Sequence, residues 1–263
     1  WKSLRANLPW GSSRVLREDI ANPNLLYLGT EFAAWASLNR GGSWAKINNN
    51  LPTVAVHEFA LHPTAGEIVA ATHGRSLWVL DVTPLRQMTA AALKAPATLY
   101  RPKAAVRWHS EPGRGSMYGT GSRKFVGQNP PGGAQIYYSL TKKADKVSLQ
   151  VMDFAGKLVR ELPAKAEPGL HRVTWDLRAG AGQRPGGGRR PGRQGPQAAA
   201  PGMYRVVLTV DGKEHSQGLR VEPDPSLPPD TIAQEDDEEN DPEAMEREEM
   251  ERERGERDRP VDR

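Results

Sequence analysis

The sequence predicts an all-β protein made of two repeated sheet units, a small β-sandwich and a charged tail. Two observations carry this prediction. Tryptophan-containing text in the first part of the chain recurs after about 43 residues. Apolar residues also alternate with polar ones over short runs bounded by Gly, Pro, Asn or Asp, a pattern typical of successive β-strands.

The repeat is visible in two separate places. The text "WKSLRANLP" that opens the chain recurs as "WAKINNNLP", a shift of 43 residues, while Thr30 aligns with Thr72 and Trp35 with Trp78 at shifts of 42 and 43. A period of about 40 to 45 residues is that of a four-stranded propeller blade. We therefore predict that residues 1–90 form about two blades, and that further blades complete the ring because two units cannot bury both of their faces.

Six alternating runs predict a small β-sandwich at residues 127–223. Runs spaced roughly 8 to 12 residues apart are typical of this architecture, and the Asp-Gly pair in "VDGK" favours a two-residue hairpin. We expect residues 91–126 to be a linker. The Gly/Pro/Arg-rich segment 181–200 and the segment 224–263 are poor in apolar residues, which predicts a disordered insert and a disordered charged tail.

Composition excludes several kinds of site. The chain has no cysteine, so it has neither a disulfide framework nor a thiolate metal site, and its histidines lack ligand spacing, so we predict no metal and no cofactor. No run approaches the roughly 20 apolar residues of a membrane helix, so no membrane span is predicted. The net charge of +4 includes a tail, residues 230–263, with 16 acidic residues and 6 arginines. The arginines of the insert lack interleaved aromatic residues, which argues against a nucleic-acid partner.

Residues 37–44, "SLNRGGSW", carry a turn motif. The residues that define it are Ser37, Asn39, Gly41, Ser43 and Trp44. The motif resembles the Asp-box of BNR-type propellers, with Asn39 where the family has Asp. In such a turn the Asp or Asn side chain accepts backbone N–H bonds, the glycine is left-handed and the tryptophan fills the seam between strands. The resemblance implies a structural role, on the side away from the ligand face.

Longer stretches resemble two families. The text "NNNLPTVAVHEFALHP…GEIVAATHGRSLWVLDVTPLRQM" is similar to the closing blades of sortilin-type bacterial propellers, a resemblance that covers about residues 1–90. The text "PPGGAQIYYSL…PGMYRVVLTVDGK" is similar to the immunoglobulin-like domain of the flagellar hook-capping type, over about residues 127–222. Together they imply a secreted or cell-envelope binding or scaffold protein, extracellular or periplasmic, with a protein or glycan ligand.

The predicted ligand face lies where the turns between the second and third strands of each unit meet the connections between units. This placement puts Glu31, His73 and Arg75 on the face, with Trp10 and His57 at its rim. A cation, an imidazole and a carboxylate beside an aromatic ring suit a glycan or a peptide. A structural alternative stays open, in which Arg75 pairs with a neighbouring unit and His73 satisfies backbone carbonyls in its turn.

No catalytic residue is predicted in this stretch. Most glycosidases need two carboxylates, and sialidases use a tyrosine nucleophile with arginines. The candidates in residues 1–90 are Glu18, Asp19, Tyr27, Glu31, Glu58, Glu67 and Asp81. Tyr27 lies in an alternating strand and Asp81 follows one, so no pair can be named. The alternative is a glycoside hydrolase, sialidase- or xyloglucanase-like, whose catalytic residues lie mainly in missing N-terminal blades.

Overall fold

The computed structural model describes residues 1–108, 132–180 and 198–227. These residues form β-sheets joined by loops and two short helices, so the predicted all-β class is confirmed. Residues 1–105 and 129–221 belong to one compact unit. Of the second unit, residues 106–128 and 222–263, only a few positions are described.

The first sheet is a four-stranded antiparallel meander in which each strand pairs with the next. Its strands are β1 (Ser13–Glu18), β2 (Leu26–Thr30), β3 (Ala34–Ser37) and β4 (Ala45–Lys46). β2 is buried along most of its length, whereas β1 is exposed except at Val15. The middle of the sheet is therefore covered on both faces, and its first strand is not.

The second sheet is a three-stranded meander. Its strands are β5 (Val56–Leu61), β6 (Glu67–Thr72) and β7 (Leu77–Asp81). β1 is irregular between Ser13 and Val15, and β5 between Val56 and Glu58, positions that lie 43 residues apart in the sequence. Since bulges bend a strand at a defined place, the two units share a backbone irregularity as well as a strand order.

The turns that follow β2 and β6 also share their hydrogen bonds. The Thr30 hydroxyl donates to the Ala33 carbonyl over 3.1 Å, and the Thr72 hydroxyl donates to the Ser76 carbonyl over 2.6 Å. In both turns a threonine at the end of the second strand binds the backbone at the start of the third. The sequence repeat is thus matched by a repeat of local structure.

The two sheets pack around a shared apolar core. Tyr27 of β2 and Phe59 of β5 meet with ring centroids 6.2 Å apart, and both side chains are buried. At Gly29 the two sheets approach closely, because a Cβ built there would be 2.4 Å from the Val56 carbonyl oxygen of β5. The same Cβ would lie 2.7 Å from a methyl carbon of Val15, its cross-strand neighbour in the first sheet. Only glycine fits this position without moving backbone.

Two short helices leave the second sheet, α1 (Thr83–Gln87) and α2 (Ala90–Lys94). Pro84 occupies the first turn of α1, where a missing N–H costs nothing. The Thr89 side chain accepts the Ala92 N–H and so caps the start of α2.

The sandwich consists of a three-stranded sheet, β13-β10-β8, and a five-stranded sheet, β12-β11-β14-β15-β9. Its strands are β8 (Ala97–Leu99), β9 (Ala105–Arg107), β10 (Ala134–Leu140), β11 (Val147–Met152), β12 (Leu158–Leu162), β13 (Gly169–Trp175), β14 (Gly202–Val210) and β15 (Lys213–Pro223). Ile136, Leu149, Trp175 and Leu208 are fully buried in its core. The last six of these strands coincide with the six predicted runs.

The hairpin between β14 and β15 has the predicted two-residue turn. Val210 pairs with Lys213, and Asp211 and Gly212 both have positive φ, 49° and 83°. The Asp211 carboxylate also accepts the backbone N–H groups of Asp145 and Lys146. This aspartate therefore stabilises the turn and fixes the start of β11.

The structure differs from the sequence-based boundaries in the expected linker, residues 91–126. Within it, Ala97, Leu99 and Ala105 lie on β8 and β9 and join the sandwich core. Strands of three residues are too short to show the alternation by which longer strands are recognised, which is why the sequence did not reveal them.

The expected insert, residues 181–200, and the expected tail, residues 224–263, lie almost entirely outside the described residues. Their described ends are folded. Ala199 is buried and its N–H donates to the Leu177 carbonyl over 2.7 Å. The Asp224 carboxylate accepts both the N–H and the hydroxyl of Ser226. The described structure therefore includes residues 198–200 of the expected insert and residues 224–227 of the expected tail.

Candidate functional site

The turns β2–β3 and β6–β7 lie at the same end of their sheets as the starts of β1 and β5. Register shows this directly, since Ser13 pairs with Thr30 and Val56 pairs with Thr72. We name this end the turn edge. Its charged residues, histidines and aromatic residues include Trp10, Arg14, Glu31, Phe32, His57, His73 and Arg75.

The first sheet presents an ion pair and two exposed aromatic rings at the turn edge. Arg14 donates to Glu31 over 2.9 Å, with both side chains partly exposed. Trp10 is 86% exposed, and the Arg5 guanidinium carbon lies 3.4 Å from its ring centroid. Phe32 is exposed as well. A surface ion pair is worth at most about 1 kcal/mol, so a ligand can replace it at little cost.

The second sheet presents two imidazoles at the equivalent positions. The rings of His57 and His73 stack with centroids 5.2 Å apart and planes inclined by 28°. His57 follows Arg14 by 43 residues and His73 follows Glu31 by 42. The two sheets therefore display different chemistry at the same two places.

Arg75 lies in the tight turn between β6 and β7. Its carbonyl accepts the Trp78 indole N–H over 2.8 Å, and the flanking residues Gly74 and Ser76 both have φ of 70°. Its side chain is exposed. The His73 N–H donates to the Ala55 carbonyl over 2.9 Å, which fixes the turn against the start of β5.

The turn edge continues into a cleft of about 670 Å³ on the first sheet. The cleft floor is a row of side chains that pair across the strands, Leu16 with Leu28 and Leu28 with Trp35. Trp10, Glu31 and Phe32 stand at its rim. The structure thus unites two of the predicted site residues, Trp10 and Glu31, in this cleft, while His57 and His73 meet in a separate ring stack.

Arg14 and Phe32 belong to the turn edge although the sequence analysis did not select them. The repeat could have indicated Arg14, because Arg14 aligns at the 43-residue shift with His57, which the sequence analysis placed at the rim. Phe32 has no aromatic counterpart in the repeat, since Gly74 and Arg75 stand 42 and 43 residues later. Its exposure depends on the path of the β2–β3 turn, which one sequence does not specify.

The turn at residues 37–44 lies at the opposite end of β3 from the turn edge. The Asn39 side-chain oxygen accepts the Ser43 N–H over 2.8 Å, and the Ser37 hydroxyl accepts the Gly41 N–H over 2.8 Å. Gly41 has a φ of 82°, and Trp44 is buried. Side-chain acceptors thus replace the backbone pairing that the turn interrupts.

Replacing Asn39 with alanine is expected to destabilise the fold by about 1 kcal/mol, because the Ser43 N–H loses its acceptor. Asn39→Asp retains an acceptor oxygen and is expected to change the free energy of unfolding by less than about 0.5 kcal/mol. Urea unfolding followed by tryptophan fluorescence measures both. If the aspartate variant is destabilised as much as the alanine variant, the side-chain oxygen does not support this turn.

Tyr27 and Asp19 form a buried polar cluster away from the turn edge. The Tyr27 hydroxyl donates to the Asp19 carboxylate over 2.8 Å, and Arg86 Nε lies 2.9 Å from both carboxylate oxygens. Burial, with the neighbouring carboxylate adding to it, raises the pKa of Tyr27 far above its usual range. Tyr27 is fully buried, so its hydroxyl faces no open surface in the geometry observed.

Most of the other carboxylates of residues 1–90 also pair with cations. The pairs are Glu31 with Arg14, Glu58 with Arg17, and both Glu67 and Asp81 with Lys103. Tyr137 donates to Asp81 over 3.2 Å. Burial of the phenol, and then the Asp81 charge, raise the pKa of Tyr137 to about 12. In the geometry observed, each of these carboxylates has a cationic partner.

Within residues 1–108, 132–180 and 198–227, no three histidine or carboxylate side chains are grouped to hold a metal ion. Neither helix in the described residues could span a membrane, since α1 and α2 have five residues each.

Comparisons with known proteins bear mainly on the sandwich. The profile of the FlgD Ig-like domain matches residues 124–189, which supports the immunoglobulin-like part of the predicted organisation. None of the findings names a propeller for residues 1–90. No curated protein matches the chain in sequence.

Two solved structures show a weak likeness. CopC from Methylosinus trichosporium OB3b is 21% identical over 36% of this chain and 80% of its own, with a TM-score of 0.23. The extracellular domain of BT4673 from B. thetaiotaomicron is 11% identical over 82% of this chain and 26% of its own, also with a TM-score of 0.23. This chain thus spans about a quarter of the second protein. At such scores neither likeness establishes a shared fold, and the FlgD Ig-like profile matches residues 124–189, about a quarter of the chain.

Proposed function

We propose that this protein is a binding or scaffold module whose ligand, a protein or a glycan, is recognised at the turn edge. The proposal rests on one contrast: the backbone features of the two sheets repeat, whereas their side chains at the turn edge differ. Bulges, strand order and turn threonines repeat between the two sheets, whereas the edge positions hold an Arg14–Glu31 ion pair in one sheet and a His57–His73 stack in the other. Variable polar groups on a repeated frame are typical of recognition surfaces.

The exposed aromatic rings favour a ligand that offers flat, weakly polar surfaces. Trp10 lies almost free of protein contact on one side while Arg5 stacks on the ring. Sugar rings and peptide backbones both pack against such an indole and use nearby charged groups for orientation. Glu31 at the cleft rim supplies an acceptor for that purpose, and Arg14, its ion-pair partner at the turn edge, supplies a donor.

The propeller assignment is part of the same proposal. Two meander sheets of about 43 residues that pack face to face are what successive blades of a BNR or sortilin-type propeller require, and the sandwich follows as an immunoglobulin-like module. Export to the periplasm or the cell exterior is proposed with it. The alternative, a glycoside hydrolase whose catalytic residues lie mainly in missing N-terminal blades, is not favoured by residues 1–90. There Asp19, Glu31, Glu58, Glu67 and Asp81 lie in ion pairs, and Glu18 is an exposed carboxylate on β1.

The test is ligand binding by the full chain and by variants of its exposed rings. An oligosaccharide array and a displayed peptide library serve as probes. Trp10→Ala is expected to weaken binding of the selected probe about 10-fold, because one ring–ligand contact is worth roughly 1 to 1.5 kcal/mol. Phe154→Ala removes an equally exposed ring from the sandwich turn and should leave binding unchanged.

The outcomes separate the two ligand classes. Selective binding on the array identifies a glycan, and selective binding in the library identifies a protein. If the chain selects no probe from either, or if Trp10→Ala binds as well as Phe154→Ala, the turn edge is not the binding surface.

A further inference from the structure

We propose that the sandwich is docked on the second sheet in a fixed orientation, and that Lys103 holds it there by neutralising two carboxylates of that sheet. Modules joined in one chain move relative to each other unless their interface prevents it. The contacts concerned lie within residues 1–105 and 129–221, which form one compact unit. The proposal goes beyond ligand binding at the turn edge and does not depend on it.

The chain between the second sheet and the sandwich is short and structured. β7 ends at Asp81, and α1, α2 and β8 follow with one or two residues between successive elements. None of these connecting residues is Gly or Ser, the residues that make a linker flexible. One of them, Thr89, caps α2. The start of the sandwich is therefore held close to the end of β7.

The segment between β8 and β9, residues 100–104, makes two sets of contacts outside the sandwich. The Arg101 N–H donates to the Gln87 side-chain oxygen over 2.8 Å, and the Gln87 amide donates to the Arg101 carbonyl over 3.0 Å. Lys103 Nζ donates over 3.0 Å to the carbonyl of Ala65, in the turn between β5 and β6. The segment is therefore bonded to both α1 and the second sheet.

Lys103 also lies between two carboxylates of the second sheet. Glu67 and Asp81 face each other across β6 and β7. Lys103 Nζ is 3.3 Å from the Glu67 carboxylate and 3.4 Å from that of Asp81. Like charges directly opposite on neighbouring strands destabilise a sheet. The second sheet therefore depends on a lysine that lies between two strands of the sandwich.

The repeat shows that this acidic pair distinguishes the second sheet from the first. The counterparts of Glu67 and Asp81, 42 and 43 residues earlier, are Leu25 and Leu38. Leu25 is fully buried, and Leu38 packs against the core shared by the two sheets. The second unit thus has two carboxylates where the first has two leucines, at the place that Lys103 reaches.

Asp81 joins three parts of the structure. One of its carboxylate oxygens accepts the Thr83 N–H at the start of α1 over 3.0 Å. The other accepts the hydroxyl of Tyr137, on β10 of the sandwich, over 3.2 Å, and also faces Lys103. A single side chain at the end of β7 is thus bonded to the helix and to two separate segments of the sandwich. Together these contacts fix the direction of the sandwich as well as its distance.

The first experiment measures distances between the sheets and the sandwich in the full chain. Because the chain has no cysteine, spin labels attach only at Thr53→Cys, in the connection between the two sheets, and Glu214→Cys, on β15. Both positions are exposed. Double electron–electron resonance is expected to give one narrow distance distribution, as narrow as that of a control pair within the sandwich, Lys157→Cys with Glu214→Cys.

The second experiment tests the role of Lys103. Lys103→Met leaves Glu67 and Asp81 opposite each other without their cation, so the sheet–sandwich distance distribution should broaden. In hydrogen exchange, the amides of β6 and β7 should exchange about 10-fold faster, the factor for one lost charge-assisted hydrogen bond. Lys142→Met removes an exposed lysine of the sandwich and should change neither measurement.

Two further variants keep the result interpretable. Lys103→Met combined with Glu67→Gln leaves one charge at the cross-strand position, so it should recover part of the lost exchange protection. Tyr137→Phe removes only the hydroxyl bond to Asp81, and it should broaden the distance distribution even if Lys103→Met fails to fold.

Three results would overturn the proposal. One is a broad distance distribution in the otherwise unaltered chain, which indicates a tethered sandwich. Another is a folded Lys103→Met variant that behaves like Lys142→Met. The third is a double variant with no better protection than Lys103→Met, which shows that the paired carboxylates are not what Lys103 stabilises. None of these results bears on ligand binding at the turn edge, so the two proposals fail separately.

Discussion

Gly29→Val is expected to destabilise the packed sheets of residues 1–90 by about 3 kcal/mol, the upper end of the usual overpacking range. A Cβ at this position meets the Val56 carbonyl oxygen at 2.4 Å. The obstacle is backbone of the neighbouring sheet, so no change of rotamer can remove the clash, and β5 has to move away from β2. Urea unfolding followed by tryptophan fluorescence gives the change in free energy.

The matched control is Ala71→Val. Ala71 is the counterpart of Gly29 in the second sheet, 42 residues later, and it pairs across the strands with Leu77, whose side chain is 67% exposed. A valine there should change stability by less than about 0.5 kcal/mol. Equal effects of the two substitutions would show that the close approach of the two sheets does not determine stability.

Asp19→Ala is expected to destabilise the protein by about 3 to 5 kcal/mol, the cost of removing one partner from a buried ion pair. Arg86 Nε loses both carboxylate oxygens, and its Nη2 atom is already buried without a hydrogen-bond partner among the described residues. The N–H groups of Ala21 and Asn22 lose their acceptor as well. Chemical denaturation measures the loss.

Two further variants separate the buried charge from a general effect of substitution. Asp19→Ala combined with Arg86→Met leaves no unpaired cation and should recover part of the lost stability. Glu58→Ala breaks the partly exposed pair with Arg17 and should cost at most about 1 kcal/mol. If Asp19→Ala costs no more than Glu58→Ala, the cluster around Asp19 does not anchor α1 to the first sheet.

The strands were predictable because their signals are local. Alternation placed the long strands of the sandwich, and the Asp-Gly pair placed the hairpin at Asp211 and Gly212. The 43-residue repeat placed the strands of the two sheets and aligned the threonines of their turns. These features depend on residues a few positions apart, for which side-chain period and turn chemistry are sufficient. The propeller that the same repeat suggests stays a proposal.

The candidate site was predictable only in part. The repeat indicated which turns share an edge, and so selected Glu31, His57 and His73. It did not show that Glu31 would pair with Arg14 or that the two imidazoles would stack. Those contacts depend on how far each β-bulge turns the strand, a detail set by packing between the sheets.

The sequence by itself determined the all-β class, the repeated unit and the turns, because the alternation of side chains and the conformations of Gly, Asn and Asp act over short distances. Only the tertiary structure decided the rest. It brought Asp19 to Arg86 across 67 residues of chain, and it added β8 and β9 to the sandwich. Contacts of this kind follow from the stacking of whole sheets, whose geometry no short stretch of sequence encodes.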